Sequence, residues 1–491
     1  MVMSFRYLCW LLIAAGVLAA NLNIVSAAEP KARETQYLVF QLMTVPGVPF
    51  PMAFAAEGPG IPSRAQMDAF VHDVVKAVGT TGDTRHKLGF SPTHFPFDMS
   101  DEETCQVIHD SFAVARENDV AVAFHLDDAM YWGKRKDLIS NPENIETSDW
   151  KQTPSTARRV DWGPKPSRFV PQMCFNSPAI QTAVKARATL IGAEVKKELE
   201  ALKASGKEHL FAGIIAGSES QMGRDFDTDR PLGYRALKNR GFSETNPPKD
   251  ADRERAAIVK EFMELWGNTL YTAGVPQERI FGHIAFTDQG LRKATAKESY
   301  AEKVHFALPE VAFSSAYRPG FSTYPEGETF KEAYAVLAKH GSPGWISAEG
   351  TNVSPTSMPG EATMETYLGR VFNHGGVMTN IFSWGIGGEG QRNNFFRKAT
   401  ENPETLAAYA KFLRGETLVE KSNTGFSSAN LQAKMQRIQT ELPAWVNGKP
   451  ERQKQAMALN QKLQPLMKEK KWQEVDKVAD EILSLIAPEK K

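Results

Sequence analysis

Two glutamates each end an apolar run that contains no other carboxylate. Glu219 follows FAGIIAGS, and Glu349 follows GWISA. Two carboxyl groups that converge on one pocket can divide the cleavage of a glycosidic bond, one as a proton donor with a raised pKa and the other as an ionised nucleophile. Each glutamate alone could equally cap a following helix. The segments after them, SQMGRDFDTDRPLG and GTNVSPTSMPG, are long and contain Gly and Pro, which favours the loops of a binding site.

Polar residues also occur in two other apolar runs. His125, Asp127 and Asp128 close VAVAFHLDD, and His283 lies inside RIFGHIAFTD. The aspartates could contact sugar hydroxyls or, together with Glu219, bind a divalent cation, because oxygen-only ligand sets leave little trace in residue spacing. A lone histidine on an apolar strand is most often a core group. We predict that the protein has no metal and no cofactor. The alternative is a metal-assisted hydrolase or lyase that uses Asp127, Asp128 and Glu219.

The apolar runs alternate with helical patterns along most of the chain. Short runs rich in apolar, β-branched or aromatic residues predict eight strands. They begin at Tyr37 (YLVFQLM), Lys87 (KLGFSP), Val120 (VAVAFHLDD), Leu210 (LFAGIIAGSES), Arg279 (RIFGHIAFTD), Val311 (VAFSSAYRPG), Gly344 (GWISAEG) and Met378 (MTNIFSWGIGG). Strand followed by helix, repeated eight times, predicts an α/β fold, the (β/α)8 TIM barrel. A doubly wound open sheet is the alternative, but the Gly-rich phosphate turn of dinucleotide-binding folds is missing after the first strand.

In a (β/α)8 barrel the active site lies at the carboxyl ends of the strands. The predicted strands place Gln41 and His94 near the ends of the first two strands, Glu219 at the end of the fourth and Glu349 at the end of the seventh. Strands four and seven face each other across a barrel. We therefore expect the two glutamates to meet in one pocket, with carboxyl groups about 5 to 5.5 Å apart if the mechanism is retaining.

This arrangement resembles clan A of the retaining glycoside hydrolases, which includes β-galactosidases, β-mannanases, cellulases and xylanases. Its members have an acid/base Glu at the end of strand four, a nucleophile Glu at the end of strand seven, Tyr at the end of strand six and Trp at the end of strand eight. The matching residues here are Glu219, Glu349, Tyr317 and Trp384. Many members have Asn before the acid/base Glu, whereas this chain has Ser218, whose hydroxyl has a shorter reach.

The resemblance implies a role for each matching residue. Glu349 would attack the anomeric carbon, and Glu219 would protonate the leaving oxygen and then activate water. Tyr317 would hydrogen-bond the nucleophile, and Trp384 would form the floor of the subsite that holds the cleaved sugar. Taken alone, a strand-end aromatic residue is more often a core residue with its polar tip at the surface.

The resemblance also lets His125 and His283 contact sugar hydroxyls or the catalytic pair. The long loop after strand three, residues 128–176, holds Trp132 and other aromatic residues that could stack on sugar rings. The other interpretation is a hydrophobic cluster that holds the loop in place. We predict an oligo- or polysaccharide substrate, with a non-catalytic carbohydrate-binding barrel as an alternative.

The composition excludes several classes of protein. A chain with 42% hydrophobic and 24% charged residues is an ordinary globular protein. The 58 basic and 58 acidic residues balance, so there is no net field to attract nucleic acid or an anionic membrane. The cysteines, Cys9, Cys105 and Cys174, are too few for a disulfide scaffold and lack zinc-ligand spacing.

Residues 1–28 have the layout of a signal peptide. Arg6 precedes the apolar run LCWLLIAAGVLAA, and VSAAE offers a cleavage site after Ala27 or Ala28. The apolar run is too short for a comfortable membrane span. We therefore expect a secreted or periplasmic protein that has no membrane attachment after cleavage.

The chain is predicted to have two parts after the signal peptide. The barrel would occupy residues 34–415, and residues 417–491 would form a helical appendage. From about Thr417 the sequence has helical patterns rich in Lys, Gln and Leu, without strands. The charges of this tail favour a solvated face; a surface for a partner or for a second copy of the chain is the alternative.

Overall fold

The structure is a computed structural model. It describes residues 34–42, 61–92, 94–127, 130–160, 166–285, 309–323, 327–350, 363–381, 384, 402–420, 428–447, 449–469 and 471–486. The predicted signal peptide and Asp128 lie outside these residues.

Parallel strands form the centre of the molecule, and they coincide with the predicted runs except for the sixth. They are β1 (Gln36–Gln41), β2 (His86–Ser91), β3 (Ala121–Asp127), β4 (Phe211–Ala216), β5 (Ile280–Gly282), β6 (Gly320–Ser322), β7 (Trp345–Gly350) and β8 (Gly376–Ile381). Their hydrogen-bonded order is β6, β7, β8, β1, β2, β3, β4, β5. Each strand therefore lies beside its neighbour in the chain, with β8 beside β1.

The sheet closes into a barrel between β5 and β6. Parallel bridges join Phe281 to Arg318 and Ile284 to Phe321. The Gly282 N–H donates to the Arg318 carbonyl oxygen at 2.9 Å. Closure removes the free strand edges that a doubly wound sheet would keep. The fold is thus the (β/α)8 barrel that the sequence predicts.

Helices alternate with the strands and surround the barrel. They are α1 (Arg64–Val78), α2 (Asp101–Asn118), α3 (Pro178–Ala204), α4 (Ala251–Thr272), α5 (Gly327–Lys339), α6 (Met364–Phe372) and α7 (Pro403–Leu413). Ser63 and Ser100 begin α1 and α2 with reciprocal side-chain to backbone hydrogen bonds. These capping boxes satisfy backbone N–H groups that the first turn of a helix leaves unpaired.

The strands separate an inner apolar cluster from an outer one. On β1, Tyr37 and Val39 belong to the inner cluster, whereas Leu38 and Phe40 belong to the outer cluster between strands and helices. This is the two-residue alternation of a strand. Gln41 is the next inward position, so its amide lies inside the barrel at the carboxyl end of β1.

The sixth strand is a correction to the sequence analysis. The run from Val311 was predicted to be a strand, but Pro309–Ala312 is a 3-10 helix and β6 is Gly320–Ser322. Apolar residues of the predicted run, such as Phe313, pack into the outer core instead. The error matters for the site because Ser322, not Tyr317, stands at the end of β6.

The tail forms three helices with an apolar cluster of their own. They are α8 (Ser428–Val446), α9 (Pro450–Lys468) and α10 (Trp472–Ile486). Leu431, Leu463 and Val475 bring all three helices into this cluster. Lys434 on α8 pairs with Asp476 on α10 at 2.9 Å. No helix in the described part of the chain has an apolar stretch long enough to cross a membrane.

Candidate active site

Glu219 lies where the chain leaves β4. The backbone turns through Gly217 (φ 94°) and Glu219 (φ 51°), both in the left-handed region. For a residue other than glycine this conformation costs about 1 to 3 kcal/mol, so its surroundings must hold it. The N–H of Glu219 donates to Nδ1 of His283 at 3.3 Å, and the N–H of Ser220 donates to the His283 carbonyl oxygen at 3.3 Å. The residue after β5 therefore holds the backbone that carries this carboxyl group.

A bulge at the end of β7 turns Glu349 into the barrel. Ala348 belongs to the inner cluster, so regular alternation would point Glu349 outward. The register with β8 shifts before Gly350, and the register with β6 shifts so that Ser322 pairs with Glu349. Bulges re-aim side chains in this way. The Glu349 carboxyl group meets that of Glu219, and its side chain is 20% exposed.

Ser322 at the end of β6 contacts both carboxyl groups. Its hydroxyl donates to Oε1 of Glu219 at 2.8 Å and lies 3.4 Å from Oε2 of Glu349. Nε2 of His283 approaches the same hydroxyl at 2.8 Å. The predicted strand six ends before Ser322, so Ser322 was not among the predicted site residues. A strand of three residues has too little pattern to reveal it.

Two buried histidines extend the hydrogen-bond network into the barrel. Nε2 of His125 lies 3.1 Å from Nδ1 of His283 and 3.2 Å from the Gly217 carbonyl oxygen. Nδ1 of His125 lies 3.3 Å from Oε1 of Gln41, which accepts from the Asn380 amide at 2.8 Å. The network therefore connects the carboxyl pair to the ends of β1, β3, β5 and β8.

Both histidines are neutral. Burial lowers the pKa of His283 to about 3, and electrostatic repulsion from His94 is the second cause. Burial, followed by repulsion from His94 and His283, also holds the pKa of His125 well below its usual range. A neutral imidazole has one donor nitrogen and one acceptor nitrogen. The neighbours of each ring therefore determine which of its two nitrogens carries the proton.

A hydrogen bond joins the two carboxyl groups. Burial, repulsion by Glu219 and a hydrogen bond to Glu219 raise the pKa of Glu349 well above its usual range. Two carboxylates in contact cannot both be ionised without a large cost. The raised pKa favours a protonated Glu349, whereas the resemblance assigns it the role of ionised nucleophile. Glu349 becomes the ionised nucleophile when its proton moves along the shared hydrogen bond to Glu219.

Buried polar atoms near the ends of β1, β2 and β8 lack hydrogen-bond partners among the residues that the structure describes. They are Nε2 of Gln41, both ring nitrogens of His94 and Oδ1 of Asn380. The carboxylate oxygen paired with His94 is Oδ2 of Asp127, at 3.7 Å. An unpaired buried polar group costs about 1 to 3 kcal/mol. These atoms therefore indicate a ligand that is rich in hydrogen-bond donors and acceptors.

Tyr317 does not lie at the carboxyl ends of the strands. It precedes β6, its hydroxyl donates to the Val311 carbonyl oxygen at 2.6 Å, and its ring belongs to the outer core. The prediction put Tyr317 beside the nucleophile because it put strand six too early. Ser322 makes the contact with Glu349 that was expected of Tyr317.

Trp384 packs outside the barrel wall. Its ring meets Phe40 edge-on with centroids 4.7 Å apart, and its Nε1 donates to Oδ2 of Asp73 on α1 at 3.1 Å. Phe40 belongs to the outer cluster, so this side of β1 faces the helices. The structure therefore does not support Trp384 as the floor of a sugar subsite.

Trp132 is buried rather than presented to a sugar. It has no exposed surface, and its Nε1 donates to the Pro171 carbonyl oxygen at 2.9 Å. Phe169 of the same loop contacts Tyr131, with ring centroids 6.4 Å apart. These aromatic residues form hydrophobic contacts that hold the loop in place, which is the second of the two interpretations of the sequence.

The remaining predicted residues lie beside the pair or outside the described segments. Ser218 is buried between Gly217 and Glu219. Asp127 ends β3, and its Oδ1 accepts from the Met130 N–H at 2.8 Å. Asp128 is outside the described residues. The structure thus brings Glu219 and Glu349 together with His283 and, through it, His125.

The pocket also has ligand types that suit a divalent cation. One atom each from Glu219, His283 and Glu349 lie within 4.8 Å of one another. Two carboxylate oxygens and an imidazole nitrogen are a common set for zinc and similar ions. This set differs from the predicted alternative, which relied on Asp127 and Asp128.

Several solved structures are similar to this chain in fold, whereas no family model and no curated protein matches its sequence. The catalytic domain of a β-amylase from Paenibacillus polymyxa has a TM-score of 0.46 and 8% identity, over 78% of this chain and 98% of the other. A β-galactosidase from Marinomonas ef1 has a TM-score of 0.43 and 10% identity, over 77% and 59%. A GH5-4 broad-specificity endoglucanase from an uncultured bacterium has a TM-score of 0.37 and 8% identity, over 78% and 94%.

These similar structures are named as enzymes that act on carbohydrates. At 8 to 10% identity and TM-scores below 0.5, the similarities do not assign a function to this chain. A barrel supports many chemistries, and the residues at the ends of its strands determine which one occurs. The function therefore has to be argued from the carboxyl pair and its neighbours.

Proposed function

We propose that this chain is an exported glycoside hydrolase that cleaves a β-linked glycosidic bond with retention of configuration. The observation that carries the proposal is the convergence of the Glu219 and Glu349 carboxyl groups at the carboxyl ends of β4 and β7, with an oxygen of each within 4.8 Å of the other. They are hydrogen-bonded here, so they have to separate to about 5 to 5.5 Å to flank a glycosidic bond. Paired carboxyl groups with one shared proton supply the acid and the nucleophile of this reaction. Export rests on the signal-peptide layout of residues 1–28.

The first step forms a covalent intermediate. The shared proton moves from Glu349 to Glu219 along their hydrogen bond. Ionised Glu349 then attacks the anomeric carbon while the bond to the leaving oxygen breaks, and Glu219 gives its proton to that oxygen. The products are a glycosyl ester on Glu349, the released alcohol and an ionised Glu219.

The second step uses water. Ionised Glu219 takes a proton from a water molecule whose oxygen attacks the anomeric carbon, and the ester bond to Glu349 breaks. The sugar leaves with its original anomeric configuration, because each of the two displacements inverts that carbon. Glu219 keeps the proton, so the pair again holds one proton between its two members.

The polar atoms around the pair support a carbohydrate as the ligand. Gln41 offers a donor, Asn380 offers an acceptor, and His94 offers one of each when its ring is neutral. A sugar hydroxyl both donates and accepts, so a ring with several hydroxyls can satisfy all three side chains. Contact with an apolar ligand would leave these atoms unpaired.

A metal-assisted hydrolase is the second candidate function. The close approach of Glu219, His283 and Glu349 within 4.8 Å supports it, because a bound cation could activate water there. A non-catalytic carbohydrate-binding barrel needs only the polar atoms around the pocket and has no use for two carboxyl groups in contact.

The test is hydrolysis of aryl β-glycosides and of plant and algal polysaccharides by the purified chain. The wild type is compared with Glu219→Ala, Glu349→Ala and a sample dialysed against EDTA. We expect loss of activity in both variants and full activity after EDTA. Azide should restore activity to Glu349→Ala with a glycosyl azide of inverted configuration, because the small anion occupies the space of the missing nucleophile.

Each other outcome selects a different function. Activity that EDTA abolishes and zinc restores would favour the metal-assisted hydrolase. Binding of an oligosaccharide without any hydrolysis by the wild type would favour the carbohydrate-binding barrel. Hydrolysis by Glu349→Ala at the wild-type rate would remove Glu349 from the mechanism.

A further inference from the structure

We propose that Ser322 is a positioning residue whose hydroxyl hydrogen turns between Glu219 and Glu349 as the negative charge moves from one to the other. The inference rests on the proposed double displacement, in which each step exchanges the ionised carboxyl group. Three observations carry it: the tautomer of His283, the two distances from Ser322, and the burial of its hydroxyl.

The neighbours of His283 place its ring proton on Nε2. Nδ1 of His283 lies 3.3 Å from the Glu219 N–H, which can only donate. Nδ1 of His283 must therefore accept, because the backbone N–H of Glu219 has no lone pair to offer. Nε2 of His125 lies 3.1 Å from the same nitrogen. A neutral ring then has its only N–H at Nε2.

In this tautomer His283 donates to the Ser322 oxygen, so the hydroxyl hydrogen of Ser322 is free to donate to a carboxyl group. Nε2–H of His283 donates to the Ser322 oxygen at 2.8 Å. The single hydroxyl hydrogen therefore points elsewhere, and Glu219 Oε1 at 2.8 Å and Glu349 Oε2 at 3.4 Å are in reach. Rotation about the Cβ–Oγ bond carries the hydrogen from one carboxyl group to the other without moving the oxygen.

The two distances agree with the charges in this geometry. Hydrogen bonds to an ionised acceptor are shorter than those to a neutral one. The shorter distance is to Glu219, and the carboxyl group whose pKa burial and repulsion raise is Glu349. Ser322 is 1% exposed, so bulk water does not compete for its hydrogen. When the charge moves to Glu349 in the first step, the same hydrogen becomes available to Glu349.

The kinetic test compares Ser322→Ala with Ser322→Thr, which keeps a hydroxyl on the same carbon. With an aryl glycoside whose leaving group departs quickly, kcat/KM reports the first step and kcat reports the second. We expect Ser322→Ala to lower both by roughly 100-fold, the size of effect that follows loss of one fixed donor. Ser322→Thr should recover most of both. Ser111→Ala, another buried serine that bonds only within α2 and to Met67, is the matched control and should keep full activity.

A loss confined to one kinetic parameter would overturn the proposal, because the hydroxyl would then serve only one carboxyl group. A failure of Ser322→Thr to recover activity while it melts like the wild type would also overturn it. Equal activity of Ser322→Ala and wild type would do the same.

NMR spectra of the chain with 15N-labelled histidine test, without any substrate, whether His283 donates a hydrogen bond to Ser322. We expect His283, assigned by comparison with His283→Gln, to carry its proton on Nε2 in the wild type. A proton on Nδ1 would overturn the proposal, since Ser322 would then donate to His283 and not to a carboxyl group. A wild type that hydrolyses no glycoside but shows the Nε2 tautomer would count against the proposed function alone.

Discussion

Two pairs of glutamates in this protein have opposite surroundings. On α3, Glu194 and Glu198 lie on either side of His109, whose ring nitrogens are 3.0 Å and 2.7 Å from their oxygens. Lys197 bonds Glu194 at 2.6 Å, and Arg116 bonds Glu198 at 2.5 Å. The hydrogen bond from Lys197 is the first cause that holds the pKa of Glu194 below its usual range. A basic side chain therefore stabilises the ionised form of Glu194, and each member of the pair has a basic partner.

The pair inside the barrel has different neighbours from the pair on α3. Glu219 and Glu349 contact each other, a serine hydroxyl and a neutral histidine. Burial and repulsion by Glu219 raise the pKa of Glu349, whereas the pKa of Glu194 on α3 is lowered. A raised carboxyl pKa suits a chemical role, because a group that acts in acid/base chemistry has to hold and release a proton.

The largest expected effect is on activity. Glu219→Gln and Glu349→Gln should each lower kcat for an aryl β-glycoside by about 10³-fold or more, because each removes a group that reacts with substrate. Glu194→Gln and Glu198→Gln should leave kcat within about twofold, because α3 lies outside the barrel. Comparable losses from both pairs would mean that the comparison reflects folding and not chemistry.

The second effect is on stability, and its sign differs between the pairs. Glu349→Gln should raise the free energy of unfolding at pH 7 by about 1 kcal/mol, because it removes a carboxyl group whose ionisation the native state resists. Since the native pKa of Glu349 lies above the unfolded value of 4.5, this gain should grow as the pH rises and vanish below pH 4.5. Urea denaturation at several pH values measures it.

A Glu→Gln substitution on α3 should destabilise the folded protein. Glu198→Gln removes the partner of both Arg116 and His109, and we expect it to lower the free energy of unfolding by up to about 1 kcal/mol in the same urea experiment. If Glu198→Gln stabilises the chain, or Glu349→Gln destabilises it at high pH, the contrast between the two pairs is wrong.

The third effect is on the pH dependence of stability, and it comes from the buried His283. The native pKa of His283 is about 3, below the ordinary value of 6.5, so the unfolded chain takes up a proton as the pH falls through 6.5 while the native chain does not. Stability should therefore fall between pH 6.5 and pH 3. In His283→Gln this dependence should be flatter by as much as about 1.4 kcal/mol per pH unit. An unchanged slope would show that His283 is not buried as a neutral ring.

The smallest expected effect is that of chelation. Dialysis against EDTA should change neither the activity nor the melting temperature, because the carboxyl pair and water suffice for the proposed reaction. A fall in melting temperature that zinc reverses would show that Glu219, His283 and Glu349 hold a structural or catalytic ion.

Local sequence patterns predicted the strands that are long and apolar. β4 and β7 each bury a continuous run, and both lead into a glutamate, so the two carboxyl groups could be found without the structure. β6 has only three residues, Gly320–Ser322, and it follows a more apolar run that packs outside the barrel. Such a short strand has too little pattern to be distinguished from its surroundings.

Residue type predicted poorly which face a side chain occupies. Trp384 and Tyr317 have the types expected at a sugar site, yet both belong to the outer core. A one-residue shift in the register of a strand reverses the face of every side chain on it, and the tertiary structure sets that register. Ser322 and Asn380 face the site, where they contact Glu219 and Gln41, although nothing in their types marks them.

The sequence by itself determined the barrel and the identity of its two glutamates, because alternation of apolar strands and amphipathic helices and the carboxylates that end strands are local features. Only the tertiary structure decided that a hydrogen bond joins the glutamates. That depends on the left-handed turn at Glu219, the bulge before Gly350 and the closure of β5 on β6, which bring together side chains far apart in the chain. A pKa shift of this kind depends on distance and burial, and neither is a property of a residue alone.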